Sequence, residues 1–337
     1  MCAGQALLAL CKKYHFERNI LYVVDNYKKG ERICINGCTI PIISVQEVGE
    51  EIKDVIPIIT TIKYAKEIIN QLDDILIFHD VPFLVPYFFQ EETYSVSTNE
   101  LLSHGIERIP KIIHYCWFGK SELPRKFREN IATWQEKCPQ YEIKRWDESN
   151  YDISKNKYMK QAYDKKKWGF VPDFARLDII NTYGGIYLDT DVEVLKSFDA
   201  LLSYDLFCGF ENSEYVALGL GFGGTANNTM LKKMMEKYEK VEFVNKDGSL
   251  NLTASPIYQT EIMETFGIKR NGQTQIIGNS IVLAPEYLAP INPLGIGEPT
   301  TNSYSIHQYA ATWFDEKQLN EKNKLMENIK SVLAHMK

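Results

Sequence analysis

The sequence predicts an α/β protein built from two successive modules, and three observations carry that prediction. Short apolar segments alternate with helix-like segments twice along the chain, once before residue 104 and again after it. A length of 337 residues exceeds one ordinary core, so two domains are expected. Hydrophobic residues make up 45% and charged residues 24%, a globular balance that excludes a mostly disordered chain.

In the first module, Gln5–Tyr14 has helical spacing and Ile20–Val24 reads as a strand ending at Asp25. Arg32–Ile43 reads as a hairpin about Asn36-Gly37. A polar helix (Val45–Ile52), an apolar strand (Val55–Ile59), a helix (Lys63–Leu72) and the strand Ile75–Phe78 follow. This order describes a small Rossmann-like module. Ala3-Gly4, however, stands where a glycine turn would follow a first strand, and that strand is missing. A dinucleotide fold without that strand and most of its glycine loop lacks a phosphate cradle. Residues 1–104 are therefore expected to be a remnant or docking module without chemistry.

Residues 91–108 are polar and lack periodicity, which sets the second domain at 105–337. Its expected elements are strand Lys111–Trp117, helix Pro124–Lys137, strand Tyr141–Trp146, helix Met159–Lys166, helix Asp173–Tyr183 and strand Gly185–Val194. Stretches rich in Gly, Asn and Pro at 219–228 and 290–302 read as long functional loops. The tail from Glu316 reads as an amphipathic, charged helix.

Charge narrows the partners. Thirty-eight basic against 44 acidic side chains give a net charge of −6, which excludes nucleic acid as the main partner. An anionic ligand must then be held locally, by a metal or a few placed arginines. No uncharged apolar stretch is long enough to span a bilayer. The N-terminal MCAGQALLALCKKYHF carries its basic residues after the apolar run, the reverse of a secretory signal. Seven cysteines form no metal spacing and only Cys34 and Cys38 lie close together, so reduced thiols in a cytoplasmic protein are expected.

The informative stretch runs from Asp173 to Val194. Alternate residues of a strand share a face, which would set Tyr187, Asp189, Asp191 and Glu193 opposite Ile186, Leu188, Val192 and Val194. Two carboxylates at ~4 Å and an effective dielectric of ~20 repel by about 4 kcal/mol. A hard divalent cation removes that penalty, most readily where phosphate oxygens complete its shell. The plainer alternative is an edge strand with a solvated acidic face. Asp173 and Arg176, spaced i, i+3 on the preceding helix, point the same way, and alone they would be an intrahelical ion pair. Gly184-Gly185 leads that helix directly into the acidic strand, so all four side chains are expected at one cleft.

At these residues the chain resembles glycosyltransferase family 32, which includes yeast-type initiating mannosyltransferases and many bacterial capsule enzymes. R-L-D-I-I-N-T-Y-G-G-I-Y-L-D-T-D (Arg176–Asp191) matches the D-x-D region, and I-P-K-I-I-H-Y-C-W (Ile109–Trp117) the family's opening strand. The large clostridial toxin glucosyltransferases are similar at greater distance. The resemblance covers about residues 108–315 and implies a GT-A type domain, a Rossmann-like mixed sheet. It implies that Trp117 stacks on the nucleotide base, that Asp173 and Arg176 grip the donor sugar, and that Tyr187 lines the same pocket. Asp189 would contact the ribose or a metal-bound water, and Asp191 would bind Mn2+ or Mg2+ directly. In the closing segment Ser305–Trp313, His307 would complete the metal shell and Trp313 would close over the diphosphate. Glu211, Asn212 and Gly219–Gly224 border the acceptor side, with no motif to fix their roles.

The function this implies is metal-dependent transfer of a hexose from a nucleotide diphosphate sugar to a saccharide or lipid-linked saccharide. The acceptor would be an intermediate of a bacterial capsular or surface polysaccharide, met in the cytoplasm or at the inner face of the membrane by peripheral association. Retention of configuration is implied as well. No residue announces itself as a nucleophile, so the leaving phosphate is expected to take the acceptor's proton. Two alternatives remain at this point. One is a haloacid dehalogenase-type phosphotransferase, although Glu193 stands where that motif places Thr or Val. The other is a non-catalytic sugar-nucleotide-binding subunit.

Overall fold

The computed structural model describes residues 7–8, 10–12, 15–25, 28–48, 57–60, 65–73, 105–310 and 319–327. Two compact units divide the chain: Met1–Glu91 with Glu316–Lys337 form one, and Glu92–Asp315 the other.

In the first unit β1 (Val23–Val24), β2 (Arg32–Ile35) and β3 (Cys38–Ile43) form a sheet in the order β1-β3-β2. Asn36 and Gly37 take φ of 47° and 84°, as a two-residue hairpin turn requires, and Ile35 pairs with Cys38 across it. β1 runs parallel to β3. Ile35 and Ile40 bury against Leu7 and Cys11. Where the sequence predicts a helix from Val45, Ser44 and Glu47 instead cap a single 3-10 turn, Val45–Glu47, reciprocally. Helix α1 (Ala65–Asp73) lies where expected. The predicted strand Ile75–Phe78 lies outside the described residues, as do Val55 and Ile56.

The second unit is organised by a mixed sheet. Its strands are β4 (Ile112–Cys116), β5 (Glu142–Trp146), β6 (Gly185–Tyr187), β8 (Leu206–Gly209), β9 (Phe222–Gly224), β10 (Gln275–Ile277) and β11 (Ser280–Leu283), in the order β10-β11-β8-β9-β6-β4-β5. β6, β4 and β5 run parallel, and β9 runs antiparallel to both β6 and β8. A separate ribbon pairs β7 (Val192–Val194) with β12 (Ser305–His307).

Helices cover both faces, so β4 is buried on both sides and shows no alternation of buried with exposed residues. On one face pack α3 (Lys157–Asp164), α4 (Pro172–Tyr183), α5 (Thr229–Lys240) and α6 (Ser255–Thr265), through Met159, Leu177, Leu231 and Met263. On the other, α2 (Arg125–Lys137) and α7 (Pro285–Leu288) insert Trp134 and Leu288. The Trp134 indole N–H also donates to the Val192 carbonyl at 2.8 Å, tying the ribbon to this layer.

One expectation is corrected here. Gly185–Val194 is not a single strand but β6 and β7, which belong to different sheets. The Leu188 N–H continues the ladder to the His114 carbonyl, and the chain then turns, with Val192 N–H bonded to the Asp189 carbonyl at 3.0 Å. Asp189 and Asp191 therefore flank a turn beyond the carboxyl end of β6. Shared pleat direction is not what brings them together.

Candidate active site

β4 and β6 are parallel neighbours, so the residues after each, Trp117 and Leu188–Asp191, leave the same edge of the sheet. Ligands in open α/β sheets sit beyond such carboxyl ends. Two features force the chain into this path. Gly184 ends α4 with φ 67°, and Gly185 follows at φ 106° with its α-carbon so close to β4 that a Cβ would lie 2.7 Å from the Ile112 carbonyl. No L-side chain fits there. The turn itself is held by Asn130, whose amide donates to the Thr190 carbonyl at 2.9 Å.

The ribbon brings in His307. It pairs opposite Val192, next to Asp191, and its Nε2 lies 3.3 Å from Asp191 Oδ1. The Ala310 N–H donates to Asp191 Oδ2 at 2.9 Å, and the Gln308 N–H to the Asp191 carbonyl at 2.9 Å. Burial opposes ionisation of Asp191, but His307 and the backbone donor outweigh it and hold its carboxyl well below the usual range. Asp189 moves the other way. Burial raises its pKa, Arg176 counteracts, and Asp191 adds to the rise.

Arg176 stands on α4 behind the pair. One nitrogen lies 3.0 Å from Asp173 Oδ1 and another 3.5 Å from Asp189 Oδ2, while Nε donates to the Pro172 carbonyl at 3.1 Å. Its guanidinium lies 5.4 Å from the centre of the fully buried Tyr187 ring. Burial works against its charge, yet the carboxylates of Asp189 and Asp173 more than offset this, so Arg176 stays cationic. Burial pushes Asp173 up to about 6, with Arg176 opposing the shift. The Tyr158 hydroxyl donates to Asp173 Oδ2 at 3.4 Å. Gly219 closes over the group: a Cβ there would lie 2.8 Å from Asp189 Oδ2 and 3.1 Å from an Arg176 nitrogen.

The donor set suits a hard divalent cation. Asp189, Asp191 and His307 each offer one ligand atom, all within 4.8 Å of one another. The imidazole faces Asp191 through Nε2, and its buried Nδ1 has no hydrogen-bond partner among the described residues. Two carboxylates and an imidazole make a donor set for a divalent cation.

Asp173, Arg176, Tyr187, Asp189, Asp191 and His307 thus converge. Trp117 lies at the same sheet edge, half-buried, its indole N–H donating to the Ser121 carbonyl at 2.8 Å. Trp313 lies outside the described residues. Gly219, expected on the acceptor side, sits against the Asp189–Arg176 pair. Tyr158 went unmarked because a tyrosine on an amphipathic helix carries no signal distinguishing a site hydroxyl from a core ring.

Comparison with known proteins bears on this group directly. Residues 124–208 match the model of the glycosyltransferase sugar-binding region containing the DXD motif. Inositol phosphoceramide mannosyltransferase 3 of Schizosaccharomyces pombe is 34% identical over 113 residues, 32% of this chain and 32% of that protein. Mannosyl phosphorylinositol ceramide synthase of Saccharomyces cerevisiae is 29% identical over 103 residues, 29% of this chain and 27% of that one. The chain covers less than a third of the length of either relative. Among solved structures, the PaToxG glycosyltransferase aligns with 47% of this chain and 69% of its own at a TM-score of 0.40 and 18% identity. Asp173, Arg176, Asp189 and Asp191 all fall inside the matched region, so over residues 124–208 the chain carries the DXD-containing sugar-binding region of glycosyltransferases.

Proposed function

We propose that this domain transfers a hexose from a nucleotide diphosphate sugar to a saccharide or lipid-linked saccharide acceptor, with Mn2+ or Mg2+ bound by Asp191, Asp189 and His307. One observation carries the reading: a buried arginine bridges Asp173 and Asp189 at 3.0 and 3.5 Å, beside a three-residue set of cation ligands. The cation would neutralise the diphosphate as it leaves. Arg176, fixed by Asp173 and the Pro172 carbonyl, would hold the sugar hydroxyls without reorganising. Without a Cβ, Gly219 lets the turn close on that pair without displacing it. Trp117 would take the base and Trp313 the diphosphate side.

One fungal relative is a mannosyltransferase by name and the other a mannosyl phosphorylinositol ceramide synthase, which favours a hexosyl donor. The sequence blocks at 109–117 and 176–191 support retention of configuration, and an acceptor in a bacterial surface polysaccharide fits the same resemblance. Among the described residues no helix is long and apolar enough to cross a membrane. We read an acceptor in a membrane as met by peripheral association. Residues 1–104 hold none of the candidate residues, and we read them as a docking module. The match at 124–208 sets aside the phosphotransferase alternative.

The test is a panel of nucleotide sugars incubated with the protein and Mn2+, with released nucleoside diphosphate measured. Slow hydrolysis of one donor, abolished by chelation, is expected. Tight donor binding with no turnover in any acceptor mixture would instead mean a non-catalytic binding subunit.

A further inference from the structure

Asparagine is a poor helix former, and burying its amide is costly unless the polar atoms find partners. Asn130 nevertheless stands buried inside α2. Both ends of its amide are used. Nδ2 donates to the Thr190 carbonyl at 2.9 Å, and Oδ1 accepts from the Gln308 side-chain amide at 3.1 Å. A carbonyl only accepts, so the bond to Thr190 fixes which way the Asn130 amide is turned. Thr190 separates the two carboxylates, and Gln308 follows His307. One side chain on a helix therefore holds both segments that supply the cation ligands.

Its neighbours on α2 give the bond its context. One edge of β7 pairs with the β12 segment: the Leu195 N–H bonds the Tyr304 carbonyl at 2.8 Å, and the Gln308 N–H the Asp191 carbonyl at 2.9 Å. Among the described residues the other edge meets no strand. There Trp134 donates to the Val192 carbonyl at 2.8 Å, and the Thr133 hydroxyl accepts from the Val194 N–H at 2.9 Å. Asn130, Thr133 and Trp134 share one face of α2, at i, i+3 and i+4. They stand in for a strand along residues 190, 192 and 194. Thr133 and Trp134 hold the chain beyond the turn, whereas Asn130 holds the peptide between the two carboxylates.

Resting on the cation reading above, we infer that Asn130 is a positioning residue for the cation ligands. It acts through Thr190 and Gln308 and does not touch the ion. Its two bonds set how far the turn carrying Asp189 and Asp191 stands from the strand end carrying His307. α2 is a sound reference for that spacing, because Trp134 anchors it in the core. Without Asn130 the turn and the strand end are free to drift apart, and a cation then meets ligands that are no longer spaced for it. The sequence shows no such role, because an Asn within an amphipathic helix matches no motif.

The experiment titrates Mn2+ alone into the full chain by calorimetry, beside thermal melts. Asn130→Leu is similar in size, adds no charge and removes both bonds. It should weaken Mn2+ binding about 10- to 100-fold, the scale of a lost outer-shell partner. Thr133→Val removes the bond to Val194 on the same helix face. It should lower the melting temperature by a few degrees and leave Mn2+ affinity at the wild-type value. Wild-type Mn2+ affinity in Asn130→Leu would overturn the inference alone. So would an equal loss in Thr133→Val, since α2 would then matter only as packing. Should Asn130→Leu fail to fold, Asn130→Ser, which fits the same space without reaching Thr190, is held to the same two outcomes. No Mn2+ binding by the wild type would overturn the inference together with the cation reading.

Discussion

Trp146 donates its indole N–H to His114 Nδ1 at 3.0 Å, in the core of the second unit. On the other side of the ring, Nε2 lies 3.0 Å from the Gly184 carbonyl. A carbonyl only accepts and an indole only donates, so the imidazole must carry its one proton on Nε2. A second proton would point Nδ1–H at N–H. Burial pushes His114 down to about 4, with the Gly184 carbonyl opposing the shift and Lys144 reinforcing it.

Acid lability follows. An unfolded chain takes up a proton at its histidines near pH 6.5, whereas folded His114 resists until about 4. Between those limits the unfolded state holds more protons, so stability is full above about 6.5 and declines as pH falls towards 4. The linkage amounts to about 3 kcal/mol across that window. Urea midpoints of the second unit should drop over it. In Trp146→Phe, which frees Nδ1, the drop should be shallower. Equal slopes in both proteins would mean other groups govern acid unfolding.

The Asp173–Arg176 pair is almost fully buried, with side-chain exposures of 6% and 5%. Arg176→Ala leaves a buried carboxylate uncompensated and should lower stability by about 3–5 kcal/mol. Arg176→Lys keeps the charge but loses the fork that reaches Asp173 and Asp189 together. It should fold nearly as well as the wild type and still lose donor hydrolysis. A fully active Lys variant would take the bridging geometry out of the proposed mechanism.

Gly219 has no positive φ, so an alanine there is unstrained in its backbone; the obstacle is the Asp189 carboxylate 2.8 Å from the added carbon. Gly219→Ala should displace Asp189 and reduce hydrolysis about 10- to 100-fold, with stability lowered by less than about 3 kcal/mol. Wild-type rates in this variant would show that the contact relaxes without moving the ligand.

Cation dependence separates the ligand set from the exposed thiols. Asp191→Asn should weaken Mn2+ binding and hydrolysis on the order of 100-fold or more. Cys34→Ser, in the first unit, should match the wild type. Full activity after exhaustive chelation would remove the metal from the reading.

How much of this was legible depends on whether the signal is local. The hairpin at Asn36-Gly37 and the strands and helices from Ile112 to Tyr183 follow from periodicity and turn chemistry, which neighbouring residues determine. Asp189 and Asp191 were legible as a pair, but the reason given, a shared strand face, was wrong: the chain turns at Thr190 because Asn130 and the β7–β12 ribbon bind its backbone. That depends on residues far away in sequence. His307 entered only through resemblance, since its place beside Asp191 is set by strand register. The restriction at Gly219 is steric, and a glycine letter does not say which neighbour crowds it.

Trp117 tests whether the opening block and the acidic turn form one site. Its backbone N–H continues the ladder to the Trp146 carbonyl at 2.9 Å, so the main chain is fixed up to the edge where β6 also ends. The ring meets Phe127 edge-on at 5.7 Å and remains half-buried, leaving part of its surface for a ligand. A base stacked there would contribute about 1–3 kcal/mol. Trp117→Ala should then weaken donor binding about 10- to 100-fold, with Mn2+ affinity of the donor-free protein unchanged. Trp117→Phe should recover part of the loss, because an aromatic face remains. Were the ring only core packing, the alanine would cost about 3–5 kcal/mol of stability instead. Calorimetric donor titration beside a thermal melt separates the two. Unchanged donor affinity with a large fall in melting temperature would remove Trp117 from the site.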